Sequence, residues 1–130
     1  MTVFVRHHIQ MSSLNLVLAV PLDHTKKRAR GFNQSELLSN HLASELKLTD
    51  VSQAIQRRAS ASPQSALTKR DRKQNVKDCF SIRDKHLFHN KSVLLVDDIL
   101  TTGQTASECA KALKESGASS VTVLACARGV

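Results

Sequence analysis

The sequence predicts an α/β fold, a mainly parallel sheet of about five strands flanked by helices. Two observations predict it. The strongest apolar runs, "LNLVLAV" at 14–20, "VLLV" at 93–96 and "SVTVLACA" at 120–127, are short, as strands of a buried sheet are. Two stretches with apolar residues at helical spacing alternate with those runs, and each begins at a capping residue.

The elements follow in chain order. Residues 14–20 form a buried strand that Pro21 ends, and a basic loop comes next. Asn33 is the expected N-cap of a helix over 34–47, with Glu36 three residues on and Leu37, Leu38, His41, Leu42 and Leu46 on the apolar face. A second strand is expected near 51–57. The segment from 57 to 75, "RRASASPQSALTKRDRKQN", has little to bury and predicts a mobile loop over 59–75 with a short helix near 66–75. A weak strand near 78–82 and a strong one over Val93 to Asp97 follow. Thr105 to Glu108 reads as a capping box, Ala106, Cys109, Ala110 and Leu113 make one stripe, and Gly117 stops that helix before a last strand over 120–127. Residues 1–13 are read as an N-terminal extension and 14–130 as one domain.

Composition excludes several classes of function. The chain has 130 residues, four Phe and no Trp or Tyr, so it lacks the aromatic platforms on which single-stranded nucleic acid stacks. No apolar stretch is long enough to cross a bilayer and no signal-peptide core opens the chain, which predicts a cytoplasmic protein without membrane contact. Cys79, Cys109 and Cys126 are widely spaced and form no Cys-x-x-Cys pair, so buried thiols are expected rather than disulfides or a zinc site. The formal charge of +8 is unevenly placed. Residues 21–34 and 57–77 carry 11 of the 19 basic residues, which points to local binding of polyanions, with solvated loops as the alternative.

The chemistry concentrates in "VLLVDDILTTGQT", from Val93 to Thr105. In an open parallel sheet, ligands bind beyond the carboxyl ends of the strands, where Asp97 and Asp98 are expected. A carboxylate accepts two hydrogen bonds, which suits the neighbouring hydroxyls of a sugar. The threonines, the backbone N–H groups and the positive end of the following helix would then gather at a phosphate. Gly103 lets the backbone approach and turn where a side chain would obstruct it.

This string resembles the phosphoribosyl pyrophosphate (PRPP) signature of type I phosphoribosyltransferases. The resemblance implies their Rossmann-like fold, ribose hydroxyls at Asp97 and Asp98, and the 5-phosphate at Thr101, Thr102, Gly103, Gln104 and Thr105. It also implies Mg2+ carried with PRPP, with no dedicated metal ligand from the protein. "VPLDHTKKRARGFNQSELL", "PQSAL", "RDRKQNVKDCF" and "VLACARG" further resemble the ComF/GntX family. That likeness places Lys26, Lys27, Arg28 and Arg30 where related transferases bind pyrophosphate, and makes Lys69 and Arg70 the candidates on the mobile loop. Members of the family usually begin with a cysteine-rich, zinc-ribbon-like segment that residues 1–13 lack, so a fragment or a shortened member is expected. Thr101 stands where 6-oxopurine enzymes of the superfamily carry an Asp, so no base for a purine is visible and no catalytic residue is assigned.

The implied activity is transfer of the phosphoribosyl group to an unidentified acceptor, with release of pyrophosphate. A PRPP-binding regulatory module that does not turn over, and an accessory to DNA uptake whose basic loops touch DNA, remain the alternatives. A homodimer is compatible with each.

Overall fold

A computed structural model describes residues 14–21, 33–57, 79–100 and 103–128 of the chain. The first strand, β1 (Leu16–Ala19), is followed by α1 (Gln34–Leu46), β2 (Thr49–Asp50), a 3-10 turn (Ser52–Ala54) and β3 (Ile55–Arg57). Then come β4 (Phe80–Ile82), a second 3-10 turn (Lys85–Phe88), β5 (Ser92–Leu100), α2 (Gln104–Glu115) and β6 (Ser120–Arg128). The expected mobile loop over 59–75 and short helix near 66–75 lie outside the described residues.

The fold is α/β, with a mainly parallel sheet. Strands β2, β1, β5 and β6 stand in that order and every neighbouring pair is parallel. The strand expected near 51–57 is split in two. Its start is set by Thr49 and Asp50 beside β1, whereas Ile55–Arg57 leaves the sheet and pairs antiparallel with β4, Ile55 opposite Ile82. The 3-10 turn between them makes the change of direction. The parallel sheet therefore has four strands among the described residues, not five, and the β3–β4 ribbon stands apart from it.

Alternation along the strands builds two cores. From β1 and β5, Leu16, Leu18, Val93 and Leu95 join Cys109 and Leu113 of α2, with Phe80 and Phe88 closing that side. Val17, Leu94 and Val96 face the other way onto Leu42 and Leu46 of α1. Successive side chains of a strand point to opposite faces, so a strand with helices on both sides is apolar throughout. The helices thus lie on opposite faces of the sheet.

The bounds of α1 agree with expectation, but its buried face does not. Asn33 caps it, its side chain accepting from the Ser35 N–H at 3.0 Å. The buried residues are Ser35, Ser39, Leu42 and Leu46, a helical stripe that is half serine. Leu37 and His41, expected on the apolar face, are exposed. Ser39 is tolerated in the interior because its hydroxyl donates to Asp50 at 2.8 Å, and Asp50 also takes the Ser52 hydroxyl and N–H.

Two further expectations are corrected. Helix α2 begins at Gln104, before the predicted capping box, and its N-cap is Gly103, which makes no side-chain cap bond. Gly103 takes φ +78°, a left-handed conformation that a β-carbon disfavours, so Thr105 lies inside the first turn instead of capping it. Cys79 and Cys109 are buried as expected, but Cys126 is exposed because β6 is an edge strand with less cover.

Candidate functional site

The strand order sets the place. From β1 the chain crosses through α1 to β2 on one side, and β5 on the other side of β1 continues through α2 to β6. The direction of winding reverses between β1 and β5. In such sheets the crevice beyond the carboxyl ends of the two strands at the reversal is where ligands bind. The carboxyl end of β5 carries Asp97 and Asp98, and the carboxyl end of β1 leads into the basic segment.

Asp97 and Asp98 stand where β5 has outrun β1. The pairing of those strands closes at Ala19 with Val96, while β5 continues beside β6, Asp97 opposite Ala125. Both aspartates are half-buried. Burial pushes the Asp97 carboxyl up to about 6, and the negative charge of Asp98 adds to the rise. The two acids thus act on each other electrostatically although they are neighbours on a strand. Burial, then the neighbouring Cys79 and the charge of Asp97, hold the thiol of Cys109 on α2 far above its usual range. On the other side, Asp98 raises the Cys126 thiol, after the effect of burial.

Three residues beyond β5, Gly103 turns the chain in its left-handed conformation and starts α2, its carbonyl accepting from the Ser107 N–H at 2.8 Å. The opening turn of α2 brings the positive end of the helix dipole to the same end of the sheet as the acids. Gly103, Gln104 and Thr105 are half-buried there. Thr101 and Thr102 lie outside the described residues, as do Lys26, Lys27, Arg28, Arg30, Lys69 and Arg70. The flanks of two of those segments are defined. Residues 22–32 connect Pro21, after β1, to Asn33, and residues 58–78 connect β3 to β4.

Two residues at the site were not anticipated as such. Ser35, on the first turn of α1, accepts the Asp98 N–H at 3.1 Å. Asn33, expected only as a cap, also donates from Nδ2 to the Val20 carbonyl at 3.3 Å. The helical spacing of Ser35 and Ser39 with Leu42 and Leu46 was the available signal, but a count of apolar residues passes over the two serines. A separate cavity of about 360 Å³ lies between the β4 side and α2, lined among others by Phe80, Ile82, Lys85, Glu108 and Glu115, and none of the anticipated site residues lines it.

Among the described residues, no group of three or more His, Cys, Asp or Glu is placed to hold a metal. A pair of carboxylates without a third ligand is a hard, incomplete donor set. It fits Mg2+, which keeps several waters and often arrives on phosphate oxygens. Among the described residues, no helix is long and apolar enough to cross a membrane.

The model of the phosphoribosyl transferase domain matches residues 29–129. Competence protein F of Haemophilus influenzae is 35% identical over 120 residues, which are 92% of this chain and 52% of that protein. DNA utilization protein YhgH of Escherichia coli K12 is 36% identical over 107 residues, 82% of this chain and 46% of that protein. The chain thus spans about half the length of these curated relatives. Among solved structures, adenine phosphoribosyltransferase of Saccharomyces cerevisiae superposes with a TM-score of 0.61 at 14% identity, over 97% of this chain and 62% of that one. At that identity the likeness speaks for the fold.

Proposed function

This chain belongs to the phosphoribosyl transferase domain family, and we propose that it binds PRPP and transfers its phosphoribosyl group to an acceptor nucleophile, releasing pyrophosphate. One observation carries the reading: two consecutive half-buried carboxylates toward the carboxyl end of β5, at the reversal of the sheet, stand just ahead of a left-handed glycine that opens a helix. The acids would accept the 2′- and 3′-hydroxyls of ribose. The glycine turn, with Thr101, Thr102, Gln104 and Thr105, would take the 5-phosphate through backbone N–H groups and hydroxyls.

The chemistry asked of such a site is charge management. Pyrophosphate leaves C1 as the acceptor approaches, and the sugar passes through a state with oxocarbenium character. Carboxylates near the ring favour that positive charge, and fixed cations favour the departing anion. Lys26, Lys27, Arg28 and Arg30 are the residues we assign to pyrophosphate, with Lys69 and Arg70 as additional cations. Mg2+, when bound, would neutralise charge on the phosphate oxygens of PRPP, with Asp97 and Asp98 as the nearest candidate carboxylates. The setting inferred for this activity is cytoplasmic.

Calorimetry with PRPP and Mg2+ tests the reading. Saturable binding is expected, and Asp97→Asn combined with Asp98→Asn is expected to weaken it by about two orders of magnitude, two lost charge-assisted contacts at roughly 1.5 kcal/mol each. Equal affinity in the double variant overturns the assignment. Pyrophosphate release in the presence of a panel of nucleobases separates a transferase from a binding module. The names of the relatives, a competence protein and DNA utilization proteins, favour a second reading in which the domain serves DNA uptake or use. Under it the basic segments would contact DNA phosphates, and PRPP would fail to displace bound DNA.

A further inference from the structure

Among the described residues, β5 has no strand beside it on the β1 side beyond Val96. The last rung there is the Val20 N–H donating to the Val96 carbonyl at 2.9 Å. In a parallel ladder, groups two residues apart point the same way, so the next group aimed across that edge is the N–H of Asp98. It donates to the Ser35 hydroxyl at 3.1 Å. A side chain on α1 therefore takes the place that the Val20 carbonyl would have filled, and that carbonyl accepts from Asn33 instead. The same substitution occurs one strand over, where β2 ends and the Ala19 N–H donates to the Ser52 hydroxyl at 3.0 Å.

Ser35 is held on both sides of this contact. It is 2% exposed, and its own N–H is fixed by the Asn33 side chain, which is 3% exposed and reaches back to the Val20 carbonyl. The end of β1, the start of α1 and the end of β5 are thereby tied into one ring of hydrogen bonds. The ring closes on the peptide of the residue whose carboxylate is assigned to the sugar. A carboxylate that must meet two hydroxyls at once tolerates little rotation of its backbone, so an error at that peptide is felt at the diol.

We propose that Ser35 is a positioning residue for recognition of a cis-diol, acting through the Asp98 peptide with Asn33 as its anchor. The proposal rests on the PRPP reading and deepens it. It is tested by comparing ribose 5-phosphate with 2-deoxyribose 5-phosphate in calorimetry, on the unaltered protein and on the Ser35→Ala and Ser35→Cys variants. The ratio of the two affinities does not depend on the fraction of protein folded, so simple destabilisation leaves it unchanged. The cysteine variant keeps the volume of the side chain with a poorer acceptor, and carries the test if the alanine variant does not fold. The unaltered protein is expected to favour the ribose ligand about tenfold, as sites built to bond a hydroxyl do, and both variants to fall to within about twofold. Variants that keep the full ratio overturn the role of Ser35 and leave the PRPP reading standing. Equal binding of the two ligands by the unaltered protein, or binding of neither, overturns the sugar assignment itself and this inference with it.

Discussion

Asp97 is the residue in which the demands of folding and of ligand binding oppose each other. Its carboxyl titrates near 6 in the folded chain, against about 4 when unfolded. The folded state therefore holds the proton more tightly, and the linkage has a definite sign. The contribution of Asp97 to stability is greatest below about pH 4, falls as pH rises to about 6, and is level above that. Asp97→Asn is expected to raise stability at pH 7.5 by about 1–2 kcal/mol, roughly half the value of the full shift, since solvent screens a half-buried group. The gain should vanish below pH 4. Urea unfolding at the two pH values measures it, and an Asn variant less stable at pH 7.5 contradicts the account. The same proton predicts that PRPP affinity climbs between pH 5 and 7 as the acid ionises and becomes a pure acceptor. The acid pair and its glycine were legible in the sequence because they form one contiguous string. Ser35 was not, because its partner is a backbone N–H 63 residues away, and a main-chain group leaves no mark on composition.

At the scale of the element, α1 separates what periodicity reveals from what it hides. Leu42 is fully buried in the core on the α1 side of the sheet, whereas Leu37 is 58% exposed. Leu42→Ala is expected to cost about 2–5 kcal/mol and Leu37→Ala less than about 0.5, both read from chemical denaturation. Comparable losses would restore the apolar face that a count of leucines suggests. The bounds of α1 were legible because capping is local, Asn33 bonding a residue two positions on. Its orientation was not, because two serines are buried through bonds to Asp98 and Asp50, which the fold alone brings near. The split of the second strand has a similar origin. Asp50 binds the Ser52 N–H and hydroxyl, and the chain turns there before Ile55 joins β4. The two long runs that became β5 and β6 were the easiest to place, although β5 runs on past the aspartates to Leu100.

On the scale of the whole molecule, each βα unit delivers one part of the proposed site. The unit of β1 and α1 supplies the hydrogen-bonded ring, and the unit of β5 and α2 supplies the acids and the glycine turn. The reversal between them brings the parts to one end of the sheet. The lengths of the strands also descend across the sheet, from nine residues in β6 and β5 to four in β1 and two in β2. A sheet stepped in this way does not open as one panel. Its amides should exchange with deuterium in a gradient, β2 first, β1 next, and the β5–β6 strip only on global unfolding. Uniform protection across all four strands would contradict that order. At these steps the serine hydroxyls stand in for missing rungs, so the Ala19 amide should exchange ahead of the rest of β1, and the Asp98 amide should be the one exception on the β5–β6 strip, exchanging when the short side frays.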